Sequence, residues 1–134
     1  RVLFRSDYGD RWREPSTLGD TAVQTLIPLY EQFGVDVVMF GHLHLYERSF
    51  PIKNGKVNLN EGTVHLLAGG GGGNLEDFGP TPAWFTGKTY RGHHYVMCEV
   101  VGDFLTFRMY DCDGQMRDQW PVSARAKNLV SSPK

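Results

Sequence analysis

The sequence predicts an α/β fold, part of a layered sandwich in which a helix–strand unit is followed by an antiparallel meander. Three observations carry this expectation. Val23, Leu26, Ile27, Tyr30 and Phe33 share one helical face. Val35-Asp36-Val37-Val38-Met39-Phe40 is a nearly continuous apolar run of strand length, the pattern of a buried strand. Between His94 and Val122, three strand-like stretches alternate with glycine-containing turn signals.

Taken in order, the helix is expected over Asp20 to Phe33, with Gly34 placed to end it. Pro28 is its flaw, because an interior proline removes one backbone hydrogen bond and should kink or divide the segment. The buried strand follows. A second short strand, Thr63 to Leu67, runs into five consecutive glycines, Gly69 to Gly73. His94 to Val100, Asp103 to Tyr110 and Gln115 to Val122 then form the meander, turning at Val101-Gly102-Asp103 and Asp113-Gly114. The last dozen residues, rich in Ser, Ala and Lys, read as a fraying tail or linker, giving a domain over 1–122 and a tail over 123–134.

Composition narrows the function classes. With 134 residues, 40% apolar content and a formal charge of −1, the chain suits a single small domain or part of one. Fourteen Lys and Arg are scattered among 15 Asp and Glu without a basic stripe, which argues against a nucleic-acid partner. No apolar run approaches the roughly 20 residues needed to span a bilayer, so no membrane partner is expected. The chain opens on Arg1-Val2-Leu3-Phe4, without a methionine or the layout of a signal peptide, so its start reads as an imposed boundary. Cys98 and Cys112 match no zinc or redox spacing and would not face each other on the meander; each is expected to be a buried free thiol.

The most informative stretch is Gly41-His42-Leu43-His44-Leu45-Tyr46-Glu47-Arg48. In an extended backbone, residues two apart project to the same side about 6.5 Å apart, so His42 and His44 could reach one cation or a neighbouring pair. The same spacing also arises on ordinary strand faces. Position favours the metal reading, since open α/β sheets bind ligands beyond the carboxyl ends of their strands and Gly41 lets the chain leave the strand sharply. Of the other histidines, His65 reads as a satisfied strand-face residue. His93 and His94 are adjacent, so on a strand they point to opposite faces, and at most one supports a site. The glycine run admits two accounts: a phosphate cradle, or a loop that must pass close to another backbone, under the histidine turn. No Lys-Ser or Lys-Thr follows it, and Asn74-Leu75-Glu76-Asp77 brings negative charge instead, which disfavours nucleotide binding.

The octapeptide resembles the Gly-His-x-His-x-Tyr-Glu-Arg signature of purple acid phosphatase-like members of the calcineurin-like metallophosphoesterases. The likeness extends upstream through Leu26 to Val38 and downstream through Ser49-Phe50-Pro51, Gly62 to Gly73 and Tyr110 to Gly114. It implies the C-terminal portion of a metallophosphoesterase sandwich and hydrolysis of a phosphate monoester. It also implies a dinuclear metal centre of iron with zinc, manganese or iron, His42 and His44 each holding one ion. Tyr46, Glu47 and Arg48 would orient these ligands through hydrogen bonds. Secretion is implied as well.

The chain departs from that pattern upstream. The family takes its remaining ligands from an Asp-x-His, a Gly-Asp, a Gly-Asn-His and a further His before the helix, whereas no histidine precedes His42 here and Arg5-Ser6-Asp7-Tyr8 supplies none. Gly9-Asp10, Gly19-Asp20 and Gly73-Asn74 mimic these motifs without the right neighbours or order. The centre is therefore expected to be incomplete and the isolated chain inactive: the C-terminal half of a larger enzyme, or a derivative that has lost its chemistry. A catalytically silent structural or interaction module is the alternative. A third reading makes Phe78, Trp84, Phe85, Tyr90 and Tyr95 a carbohydrate or peptide platform. An unfinished sheet edge would also invite self-association.

Overall fold

The structure, a computed structural model, describes residues 24–79 and 82–123. Asp10 and Asp20, the Arg5–Tyr8 segment and all of the expected tail beyond Ser123 lie outside the described residues.

The chain enters through a short helix, α1 (Ile27–Gln32), and continues into β1 (Val37–Phe40). The expected helix is divided rather than kinked: Gln24 is helical, Thr25 and Leu26 form a turn, and α1 restarts at Ile27, while Asp20 to Val23 lie outside the described residues. Pro28 lies in the first turn of α1, where its missing N–H would have had no helical partner. Gly34, at φ +62°, ends the helix as expected. Its N–H donates to Glu31 C=O (3.2 Å) and the Val35 N–H to Tyr30 C=O (2.9 Å), which satisfies the last carbonyls.

Five further short strands follow: β2 (Tyr46–Ser49), β3 (Ile52–Lys53), β4 (Lys56–Val57), β5 (Val64–Ala68) and β6 (Thr86–Tyr90). Four of the strands form a mixed sheet in the order β1-β5-β2-β6, with β1 parallel to β5 and the other pairs antiparallel. β3 and β4 make a separate hairpin. The meander is β7 (His94–Val101), β8 (Phe104–Asp111) and β9 (Met116–Ser123), close to the expected bounds.

One face of the mixed sheet packs on the meander. Tyr46, Val64 and Leu66 from the sheet meet Phe107, Met109 and Trp120 from the meander, and Val37, Tyr90, Val96, Leu105 and Val122 surround them. Phe107 and Trp120 stack with ring centroids 4.2 Å apart. On the opposite face, Tyr30 of α1 meets the His65 ring at 6.5 Å. The layers are therefore helix, mixed sheet and meander, but with one six-residue helix among the described residues the structure is sheet-rich, and the α/β label applies only in this coarse sense.

Two expectations are corrected. Cys98 and Cys112 are free, but both are exposed: Cys98 lies on β7, an edge strand of the meander, and Cys112 in the turn after Asp111. The aromatic residues do not gather into a platform either. Phe85 is buried and Tyr90 packs on the core and against His94, while Tyr95 stacks on Tyr110.

Candidate metal centre

β1 and β5 run parallel, so Phe40 and Ala68 finish at the same end of the sheet. β2 starts there too, Tyr46 pairing with Ala68. The Gly41–Leu45 loop must carry the chain from β1 across the end of β5 into β2, and this crossing places both histidines beyond the strands' carboxyl ends, where such sheets bind ligands.

The loop is not extended. His42 adopts φ +86°, a left-handed conformation uncommon for any residue with a Cβ. His44 sits at the apex of a three-residue turn that the Leu45 N–H closes on Leu43 C=O (2.9 Å). The strand-periodicity argument for two rings on one side therefore does not apply here; the loop's own bends set their directions. His42 is exposed, and no described residue gives its ring a hydrogen bond. A non-glycine residue held at positive φ costs on the order of 1–3 kcal/mol, and such outliers concentrate at functional sites.

His44 is held far more closely. Its ring Nδ1 lies 2.6 Å from Asn74 C=O, its backbone N–H donates to Glu76 Oε2 (2.9 Å), and the Glu76 N–H points back at His44 C=O (3.4 Å). The glycine run makes this approach possible. A Cβ on Gly69 would sit 1.8 Å from Leu43 O, and one on Gly73 would sit 2.4 Å from the His44 ring. Gly70 is pressed against the His94 ring in the same way, and its C=O accepts the His94 N–H (3.1 Å). Gly69 and Gly73 thus pack directly against the histidine turn, where a side chain would clash, while Gly71 and Gly72 meet nothing within 4 Å.

His93 and His94 diverge. His94 is buried between Tyr46 and Tyr90, its Nδ1 2.8 Å from Gly92 C=O and its Nε2 without a partner among the described residues. Burial holds it below the ordinary histidine range. His93 is exposed, with Nδ1 3.3 Å from Gly70 C=O. His65 is buried on β5, and its N–H donates to Ser49 Oγ (2.8 Å).

The side chains of Tyr46 and Arg48 bond to Asp118. Tyr46 Oη donates to Asp118 Oδ2 (2.8 Å), and Arg48 grips the same carboxylate twice, through Nε (2.7 Å) and a terminal nitrogen (3.2 Å). The Arg48 guanidinium also lies 5.4 Å from the centre of the Trp120 ring. Glu47 accepts from Thr86 Oγ1 (2.6 Å). Burial, and then the Asp118 carboxylate, push the Tyr46 phenol far above the ordinary tyrosine range, so it stays a donor. These residues lock β2 to β6 on one side and to β9 across the sandwich, which fixes the strand on which the histidine turn ends. Asp118 is the residue that sequence reasoning missed; its only signal was an acid on the polar side of a strand.

The two imidazoles fit the role of cation ligands: the ring of one lies against Gly73, where a Cβ would strike it, and the other has no ring partner among the described residues and sits on a strained loop. They do not complete a centre. Among the described residues no group of three or more His, Cys, Asp or Glu side chains could hold a metal ion.

The mixed sheet and the meander form a sheet-rich sandwich fragment with the histidine turn at its strand ends, and comparison with known proteins narrows the class. The chain is homologous to purple acid phosphatases over their C-terminal portion. It is 28% identical over 120 residues to probable inactive purple acid phosphatase 1 of Arabidopsis thaliana, covering 81% of this chain and 19% of that protein. It is 27% identical over 122 residues to a nucleotide pyrophosphatase/phosphodiesterase of Hordeum vulgare, covering 81% and 32%. The solved purple acid phosphatase from yellow lupin (Lupinus luteus) seeds superposes with a TM-score of 0.71 at 29% identity, covering 92% of this chain and 24% of that one. The chain thus spans between about a fifth and a third of these proteins' lengths. No protein-family model matches it.

Proposed function

We propose that this chain is the histidine-bearing portion of a metal-dependent phosphoesterase of the purple acid phosphatase type, acting on phosphate monoesters, with His42 and His44 as nitrogen ligands. The observation that carries this reading is the histidine turn itself, two imidazoles on a strained loop across the carboxyl ends of parallel strands, packed against Gly69 and Gly73. Bound cations of the iron, zinc or manganese kind would polarise the phosphoryl oxygens and supply hydroxide near neutral pH. What the chain's own residues do is hold: His42 and His44 present ring nitrogens, Gly69 and Gly73 leave room for the turn that carries them, and Tyr46 and Arg48 on Asp118 anchor the strand behind them. The remaining ligands must come from outside the described residues.

Metal analysis of the protein together with turnover of an aryl phosphate tests this, comparing wild type with His42→Ala and His44→Ala. The proposal expects stoichiometric metal that falls with either substitution, and loss of any turnover. Metal content indifferent to both substitutions would refute it.

A second reading, a catalytically silent module, is favoured by the absence of a three-ligand group among the described residues and by the word inactive in the name of the Arabidopsis relative. Neither stoichiometric metal nor turnover in the wild-type protein would select it.

A further inference from the structure

We infer that Asn74 and Glu76 form a hook that sets the tautomer and the direction of His44, with Glu76 as its positioning residue; this deepens the ligand reading proposed above and rests on it. A carbonyl oxygen only accepts, so the 2.6 Å contact from Asn74 C=O assigns the imidazole proton to Nδ1 and leaves Nε2 as the one nitrogen with a free lone pair. That is the state a neutral histidine must adopt to bind a cation through Nε2.

The ring contact alone would leave the turn free to pivot about the Asn74 carbonyl. Glu76 removes that freedom. Its Oε2 accepts the His44 N–H at 2.9 Å while its own N–H faces His44 C=O, so side chain and backbone clasp the residue from one side and the carbonyl of Asn74 holds its ring from the other. Gly73 supplies the space, since any Cβ there would strike Cε1, Nδ1 and Nε2 of the ring within 2.8 Å. The Gly73-Asn74-Leu75-Glu76 order is thus one device: a residue without a side chain under the ring, a carbonyl for Nδ1–H, and a carboxylate for the backbone. His42, two residues away, has no such clasp among the described residues, so the two imidazoles are unequal: His44 is pre-set and His42 adjusts.

The test uses the protein labelled with ¹⁵N-histidine and free of metal, at about pH 8 where histidines are neutral, with the His44 signals assigned through His44→Gln. Long-range ¹H–¹⁵N spectra report the ring tautomer, and a Zn²⁺ titration reports affinity, for wild type, Glu76→Gln and Glu76→Ala. The expected result is a single Nδ1–H tautomer in wild type and in Glu76→Gln, whose amide oxygen still accepts the N–H. Glu76→Ala should give a tautomer mixture and a zinc affinity ~10–100-fold weaker. A wild-type ring carrying its proton on Nε2 would overturn the inference without any variant, and so would Glu76→Ala with unchanged tautomer and unchanged affinity. A fixed tautomer in a wild-type protein that takes up no zinc upholds the hook and overturns the ligand reading instead.

Discussion

Asp118 shows how much can depend on one carboxylate. It accepts from Tyr46 and twice from Arg48, with its side chain 8% exposed and that of Arg48 18% exposed. Removing it would strand a guanidinium and a phenol between the sheets. We predict that Asp118→Ala lowers stability by about 3 kcal/mol, as when one partner of a buried pair is deleted; a urea midpoint shift at unchanged slope measures it. Asp111 works differently. Burial opposes its charge, but the N–H groups of Gln115 and Asp113 and the Arg117 guanidinium outweigh this and hold its carboxyl below the ordinary 3.8. A depressed carboxylate stabilises the fold above its unfolded value and loses that contribution as pH falls through its folded value. Acid titration of stability should therefore show a loss setting in below about pH 4, and Asp111→Asn should flatten that part of the curve. Of the two accounts the glycine run admitted, the close approach is met at Gly69 and Gly73, which pack against the histidine turn. The left-handed His42 was not, since nothing in a His-x-His spacing encodes a positive φ.

At the scale of elements, strands with a strong apolar signal were found from sequence and polar ones were not. β5 and the meander lie where their apolar residues placed them; β1 does too, but the run that read as a buried strand is an edge strand with no fully buried residue. No strand was expected over β2, because Tyr46-Glu47-Arg48-Ser49 shows no apolar alternation, yet it is an interior strand whose side chains bond to Asp118 and Thr86. β6, Thr86-Gly87-Lys88-Thr89-Tyr90, is masked in the same way. The β3–β4 hairpin had a recognisable signal that the reading of the sequence passed over. Asn54 at φ +52° and Gly55 at φ +67° form the two-residue turn that Asn-Gly favours. Gly55→Ala should cost about 1 kcal/mol through left-handed strain alone, because a Cβ there meets nothing within 4 Å. Thermal unfolding of this variant against wild type checks it. Pro28 was legible as a break: the helical segment is interrupted at Thr25 and Leu26, and the proline sits in the first turn of the helix that restarts at Ile27.

For the molecule as a whole, the described residues close the core where β9 meets β2 and leave β1 and β7 as edge strands. Met39 on β1 is 54% exposed, and Val100 on β7, although on the same face as Leu105 and Cys98, is 65% exposed. An open apolar edge favours further contact. We predict that the chain studied alone associates as its concentration rises; sedimentation velocity showing a monomer throughout would contradict this. No helix among the described residues is long and apolar enough to cross a membrane. The fold's layer order was readable in outline, but the site's completeness was not, because a ligand set assembled from distant segments leaves no trace in the spacing of two histidines.

The central claim is that the rings of His42 and His44 exist to grip cations. Anomalous diffraction at the zinc edge, from crystals of the protein grown with Zn²⁺, tests it most directly. The account predicts a peak about 2.0–2.1 Å from His44 Nε2, with the His42 ring turned toward the same pocket of ions. Well-ordered rings with no anomalous peak beside either, or with His44 Nε2 bonded to protein, would contradict it.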